Sequence, residues 1–145
     1  MMISTKGRYA LRILLDIASA GADAEYISLG DVANRQEISM KYLEAIVASL
    51  SKAGLVESKR GKSGGYRLSK TPAECTVADV VKAAEGGISP VACPECDGQS
   101  CSRSAGCLTV DLWKQLDGMI ERYLSAVTLA DLLNGKDLSA VFRES

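Results

Sequence analysis

Leu55-Val56-Glu57-Ser58-Lys59-Arg60-Gly61-Lys62-Ser63-Gly64-Gly65-Tyr66-Arg67-Leu68 is the stretch on which the fold turns. Leu55 to Ser58 and Tyr66 to Leu68 read as two short strands, and the basic, glycine-rich run Lys59 to Gly65 is the turn between them. Upstream of it the period is helical. Residues 6–20 place Tyr9, Ala10, Ile13, Leu14, Ile17 and Ala18 at helical spacing, and Gly21-Ala22-Asp23-Ala24 ends that helix. Ser28 is a natural N-cap for a short helix that carries Leu29, Val32 and Ala33 and runs through about Gln36. Glu37-Ile38 is a tight turn, and Ser39 caps a third helix with Met40, Leu43, Ile46, Val47 and Leu50 on its apolar face. That helix stops at Lys52-Ala53-Gly54, a glycine C-cap with a cation before it. Helix, helix–turn–helix and basic hairpin, in that order, specify a winged helix-turn-helix.

Downstream of the hairpin, Thr71-Pro72 breaks the chain. Thr76, with Asp79 three residues on, starts a helix carrying Val77, Val80, Val81 and Ala84 that ends at Gly86-Gly87. Ile88 to Ser102 is a loop. A long helix is expected from about Ser104 to Ala126. Its stripe Leu108, Leu112, Leu116, Met119, Tyr123 and Val127 is flanked by a second one of Trp113, Ile120 and Leu124. Apolar residues on more than one face exceed what a single neighbour covers, which points to a partner helix from a second subunit. Thr128 caps a last short helix ending at Asn134-Gly135. The fold class is therefore mostly α with a small β-hairpin wing, a winged helix-turn-helix plus a long C-terminal dimerisation helix. Three regions follow: residues 1–87 as the winged helix-turn-helix domain, 88–103 as a cysteine-rich loop, and 104–145 as the dimerisation helix and final short helix.

Composition narrows the function. At 145 residues, 47% hydrophobic and 24% charged, the chain is ordinary for a soluble globular protein of one domain with an appended element. Its apolar runs are far short of a membrane span, and no apolar stretch of signal-peptide length follows Met1-Met2-Ile3-Ser4-Thr5-Lys6, so a cytoplasmic protein without a membrane partner is expected. The net charge of −1 hides an asymmetry. Residues 1–70 hold eleven Lys and Arg against seven Asp and Glu; residues 71–145 hold six against eleven. The first half is suited to a polyanion. There is no histidine, which removes the commonest general acid/base and metal-ligating nitrogen. With no nucleotide-binding loop and no substrate-pocket signature either, an enzyme is not expected.

A helix entering the major groove reads bases with its N-terminal residues. Here Ser39, Lys41, Tyr42 and Glu44 occupy that position. Lys41 and Tyr42 suit phosphates, and Glu44 suits a cytosine amino group. Lys59, Arg60 and Lys62 arm the wing, on a turn whose glycines would allow close approach to a nucleic-acid backbone or minor groove. Lys6 and Arg8, at the start of the first helix, are further phosphate candidates. Double-stranded DNA is thus the expected partner.

Four of the five cysteines fall in fifteen residues, Cys93, Cys96, Cys101 and Cys107, spaced C-x2-C-x4-C-x5-C among Gly, Ser, Pro, Asp and Gln. Cysteine normally packs like a small hydrophobe, so four in a polar loop need another reason. In a reducing compartment they favour metal or redox chemistry over structural disulfides. An iron–sulfur cluster held by thiolates, zinc, and a thiol switch are the three candidates. Only Cys93 and Cys96 have the short spacing typical of zinc. The longer gaps suit a loop around a larger object. The spacing is compatible with either cluster type; the two-iron two-sulfur form is the favoured cofactor, with the four-iron form and zinc as its alternatives. Cys75, outside the loop, reads as a small packed residue.

The opening Ser4-Thr5-Lys6-Gly7-Arg8-Tyr9-Ala10-Leu11-Arg12, the helix start Ser39-Met40-Lys41-Tyr42-Leu43-Glu44 and the wing Arg60-Gly61-Lys62-Ser63-Gly64-Gly65-Tyr66-Arg67-Leu68 resemble the Rrf2 family of winged-helix transcription regulators, IscR/NsrR-like branch. Glu85-Gly86-Gly87-Ile88-Ser89-Pro90-Val91 resembles the stretch before that family's sensor loop, and Cys107-Leu108-Thr109 with Leu112-Trp113 resembles the start of its dimerisation helix. The resemblance implies a homodimer on a partly palindromic operator. It implies that Cys93, Cys101 and Cys107 match three cluster-holding cysteines, and that Arg60 and Glu44 match base-reading positions. Two positions depart from the pattern. Val110 stands where the IscR-like histidine ligand would be, and Arg8 where the NsrR-like acidic ligand would be. Cys96 either completes the site or stands outside it. The CymR-like branch has no cysteines in this loop, so the four found here argue against it. The expected function is a DNA-binding transcription regulator sensing iron–sulfur, redox or iron status; the alternative is a zinc-bound or thiol-switch repressor of the same fold.

Overall fold

The computed structural model describes residues 3–20, 25–90, 106–141 and 143. Its elements run α1 (Thr5–Ala20), α2 (Leu29–Gln36), α3 (Met40–Lys52), β1 (Val56–Lys59), β2 (Gly65–Leu68), a 3-10 turn (Pro72–Glu74), α4 (Val77–Glu85), α5 (Val110–Ala126), α6 (Leu129–Leu133) and a second 3-10 turn (Leu138–Ala140). The helical periods of the sequence are realised as buried stripes: Ala10, Ile13, Leu14 and Ile17 on α1, and Leu43, Ile46, Val47 and Leu50 on α3. Ser28 and Ser39 accept from the backbone N–H groups of Asp31 and Tyr42, capping α2 and α3. Between those helices Glu37 adopts φ 54°, ψ 47°, and its N–H bonds to the Ala33 carbonyl. A left-handed residue ends a helix abruptly, normally as glycine, so Glu37 carries mild strain to make the helix–turn–helix corner.

β1 and β2 pair antiparallel, with Glu57 opposite Arg67 and Lys59 opposite Gly65. Ile27 adds a single bridge to Tyr66 through two 2.8 Å backbone hydrogen bonds. β1 begins and ends one residue later than expected and β2 begins one residue earlier; the Leu55 N–H returns to the Leu50 carbonyl. Thr71-Pro72 does break the chain, and the break is ordered: Glu74 Oε2 accepts from the Thr71 N–H and hydroxyl.

Two adjoining cores share α4. The larger joins α1, α2 and α3 to Leu55, Val56, Cys75, Val80, Ala84 and Leu129. The smaller is built from Val77, Val81, Val127 and Val141, with Ile3, Ile88, Tyr123 and Leu124 against it. The C-terminal residues return to α4's start through Val77 N–H to Val127 carbonyl (2.8 Å) and Leu129 N–H to Cys75 carbonyl (2.9 Å). Thr76–Asp79 and Thr128–Asp131 form reciprocal capping boxes at the two helices so joined.

α5 starts at Val110 and not near Ser104; residues 104 and 105 lie outside the described ones, and Gly106 to Thr109 form turns. Thr109 gives no side-chain cap; its hydroxyl lies 3.3 Å from Cys107 Sγ. No residue of α5 is fully buried. Tyr123 and Leu124 face the smaller core, whereas Leu112 and Met119 are 57% and 47% exposed, with Leu108, before the helix, at 99%. The first apolar stripe is thus divided along its length: Leu108, Leu112 and Met119 are open, while Tyr123 and Val127 at its C-terminal end join Leu124 of the second stripe against the smaller core.

α1 and α2 are tied by Asp16. Its carboxylate accepts from Arg35 Nη2 (2.6 Å) and Nε (3.1 Å) and from Gln36 Nε2 (2.8 Å), and Arg12 Nε in turn reaches Gln36 Oε1 (2.9 Å). Burial would raise the Asp16 carboxyl, but the Arg35 and Gln36 hydrogen bonds and the Arg35 charge outweigh it and hold it below the ordinary carboxylate value. A depressed folded-state value stabilises above the unfolded-state value and is lost as pH falls through the folded one. Asp16→Ala should therefore cost about 1–2 kcal/mol at neutral pH, the range allowing for a half-exposed Arg35. Urea titrations should show that difference shrinking as the pH is lowered below the ordinary carboxylate range.

Candidate nucleic-acid interface

Burial of Leu43, Ile46, Val47 and Leu50 fixes the rotation of α3 and leaves Lys41, Glu44, Ala45 and Ala48 on its exposed side. Met40, expected on the apolar face, is 42% exposed and joins them, because it opens the first turn, before the buried residues begin at Leu43. Ser39 stands at the head of this face, its hydroxyl oxygen already accepting from Tyr42 N–H at 3.1 Å. Tyr42 is half-buried. Its ring meets Tyr9 edge-on at 5.9 Å and 84°, and the Arg12 guanidinium lies over Tyr9 at 4.8 Å. The ring of Tyr42 is thus committed to joining α3 to α1.

Lys6 is also an α1–α3 tie: its Nζ donates to Ser49 Oγ at 3.0 Å. An ammonium has three donors, so two remain for a phosphate. Arg8 is exposed, with Nη2 donating to Thr5 Oγ1 at 3.3 Å.

On the wing, Lys59, Arg60 and Lys62 are all exposed. The turn closes through Gly64 N–H to the Gly61 carbonyl at 3.0 Å. Two of its glycines serve the protein's own backbone and not an approaching nucleic acid. A Cβ at Gly64 would collide with the Lys59 carbonyl, and one at Gly65 with the Ile27 carbonyl. Gly61, at φ 110°, has nothing within 4 Å of its Cβ position and is the open one.

Tyr26 is a wing residue that sequence reading passes over. Arg67 lies over its ring at 4.5 Å and Lys59 at 5.8 Å, within cation–π range. Arg67 Nε also pairs with Glu57 Oε1 at 2.5 Å, directly across the hairpin. Nothing local to Tyr26 announces this role, since its two cations arrive only when Ile27 bridges to Tyr66.

Of the loop cysteines, Cys93, Cys96 and Cys101 lie outside the described residues. Cys107 is exposed in the turn before α5, its Sγ 3.3 Å from Thr109 Oγ1. Hydrogen bonds from the Thr109 side chain and N–H, and from the Val110 N–H, pull its pKa below that of an ordinary thiol. Cys75 is the opposite case: burial, with Asp79 adding to it, pushes its pKa up to about 11. Among the described residues no three His, Cys, Asp or Glu side chains group to hold a metal ion.

Residues 3–135 match the family described as Rrf2, iron-dependent transcriptional regulator. The chain belongs to the Rrf2 family. It is 41% identical over 138 residues to protein rrf2 of Nitratidesulfovibrio vulgaris, covering 95% of this chain and 91% of that one. Its backbone is similar to CymR, the global cysteine regulator of B. subtilis (34% identity, TM-score 0.76, 94% of this chain and 99% of that one). It is similar to T. potens IscR at 33% identity, TM-score 0.73, covering 93% and 88%. The expected mostly helical fold with a hairpin wing is the Rrf2 fold, and the function is transcription regulation and not catalysis. Two regulators with different names match about equally well, so the backbone does not separate them, and the signal has to be read from the side chains. No described helix is long and apolar enough to cross a membrane.

The two described thiols should separate cleanly in metal-free protein. Iodoacetamide near neutral pH should alkylate Cys107 in the native state, while Cys75 reacts only after denaturation, as read by peptide mass spectrometry. Native labelling of Cys75 at the rate of Cys107 would contradict its buried placement.

Proposed function

We propose that this Rrf2 protein is a homodimeric, DNA-binding regulator whose residues 88–103, with Cys107, sense iron–sulfur or redox status. What carries the reading is one combination: a regulator of this family, described as iron-dependent, with four cysteines in fifteen polar residues and no histidine. The donor chemistry fits. Cys107 is exposed and shifted toward thiolate, the form that ligates iron. Cys93, Cys101 and Cys107 would hold the cluster, with Cys96 as the fourth thiolate in place of the absent histidine. A bound cluster supplies a redox- and oxygen-sensitive group. The two-iron two-sulfur form is the working assignment, with the four-iron form its alternative.

On the DNA side, residues 1–87 do the reading. Glu44 and Arg60 would touch base edges; Lys6, Arg8, Ser39, Lys41, Lys59 and Lys62 would touch phosphates. Tyr42 would add only its hydroxyl, its ring being engaged with Tyr9. The uncovered Leu108, Leu112 and Met119 support pairing of residues 104–145 with a second copy. The protein is expected in the cytoplasm, where reduced thiols persist.

Protein purified without oxygen should contain iron and acid-labile sulfide with charge-transfer absorption, and Cys101→Ala should lose most of both. Zinc without iron would instead favour the zinc-bound or thiol-switch repressor. Leu112→Glu should weaken self-association at least about tenfold in sedimentation equilibrium, since it buries a charge at an apolar contact. An unchanged dimer would remove α5 from the interface.

A further inference from the structure

Glu85 ends α4, and the chain then runs Gly86-Gly87-Ile88-Ser89-Pro90 toward Cys93. Its carboxylate reaches across the molecule to the start of α1. Oε1 accepts from the Ser4 N–H (2.9 Å), the Ser4 hydroxyl (2.5 Å) and the Gly7 N–H (3.1 Å). The first N–H groups of a helix have no partner within it, and negative charge there is favoured by the helix dipole. α1 has no acidic residue in its first turn. The charge that caps it comes from the other end of the winged-helix region.

The fit is close. A Cβ on Gly7 would collide with Glu85 Oε1. Around it, Ile3 and Ile88 pack on the same small core. A recess of about 210 Å³ there is lined by Ile3, Glu85, Gly87 and Ile88, and by Ile120 and Leu124 of α5. The start of α1, the residues leading to the cysteines and the dimerisation helix therefore meet at one carboxylate. One residue into α1, Lys6 is tied to the recognition helix through Ser49.

We propose that Glu85 is a positioning residue for DNA binding: carried on the segment that enters the cysteine loop, it holds the first turn of α1 and so sets Lys6 and Arg8 against the DNA. Withdrawal of the carboxylate leaves the Ser4 and Gly7 N–H groups unpaired and frees the turn that carries both cations. Any state of the cysteine segment that moves Glu85 thereby shifts the population of the binding-competent form. The signalling half of this inference rests on the sensor reading above, and the DNA-binding half on the reading of Lys6 and Arg8 as phosphate contacts, which Lys6→Ala and Arg8→Ala check separately by their own loss of salt slope; the grip on α1 rests on the hydrogen bonds alone.

The test uses full-length protein and a duplex enriched from a random-sequence pool by the wild type. In metal-free protein, Glu85→Ala should bind that duplex about tenfold more weakly, the scale of a lost helix cap. Its dependence of log K on log salt should be shallower by about one unit, as for a lost phosphate contact. Glu85→Gln keeps an acceptor oxygen and should keep the wild-type slope. Gly7→Ala displaces the carboxylate without deleting it and should reproduce the Glu85→Ala slope, which keeps the test alive if that variant folds poorly. Folded variants with wild-type affinity and slope overturn the proposal. In the second arm, metal-loaded and metal-free wild type are compared for DNA affinity, and the ratio should fall toward one in Glu85→Ala at equal metal content. A ratio that survives the substitution overturns the signalling half. A wild-type ratio of one overturns the sensor reading, and the salt slope alone then decides the role of Glu85.

Discussion

The packing of α4 is the constraint on which the rest of the structure depends. Nine residues long, it buries Val77, Ala78, Val80, Val81 and Ala84. Val80 and Ala84 close the core of the helix–turn–helix, while Val77 and Val81 open a second core toward α5 and the C-terminus. Two stripes on one helix, each of two residues four apart, therefore belong to different clusters, and a helix so short can do this only by lying between them. Leu11 of α1 touches both clusters and completes the wedge. A rotation of α4 would disturb the helix–turn–helix side and the α5 side together.

Charged groups are distributed around that wedge in a consistent way. The acidic side chains that matter structurally sit at helix starts or across from arginine: Asp79 and Asp131 in capping boxes, Asp16 between Arg35 and Gln36, Glu57 opposite Arg67, Glu85 at the head of α1. Lys41, Arg60 and Lys62 are left exposed on α3 and the wing. The wing's own order comes from backbone proximity. Gly64 and Gly65 let the hairpin close on Lys59 and Ile27, and Tyr26 collects two cations beneath it. The backbone of the tip is fixed in this way, while the Lys59, Arg60 and Lys62 side chains stay exposed.

The two described cysteines illustrate how environment separates one residue type into two chemistries. Cys75 lies under α6, where its carbonyl receives Leu129 N–H and its thiol is kept neutral by burial. Cys107 stands in the open beside hydrogen-bond donors that favour the thiolate. The Thr109 hydroxyl lies beside that thiol and makes no cap to α5, which begins at Val110. Beyond it, α5 offers one face to the small core and leaves Leu112 and Met119 uncovered.

By itself the sequence determined the order of elements, the caps at Ser28, Ser39, Thr76 and Thr128, the buried stripes of α1 and α3, and the exposed basic residues of the wing. These are short-range properties: periodicity, capping and turn chemistry act within a few residues and can be read along the chain. The sequence also marked the crowd of cysteines as chemically unusual, because four thiols among polar residues contradict ordinary packing. Only the tertiary structure decided which apolar residues of α5 are covered, that Tyr42 braces Tyr9, that Gly64 and Gly65 serve the protein's own carbonyls, and that Tyr26 and Glu85 matter at all. Each of those depends on a partner brought close by folding, and for Glu85 that partner lies 78 residues away at Gly7. No local pattern encodes such a meeting, because it exists only once α4 has been wedged between its two cores.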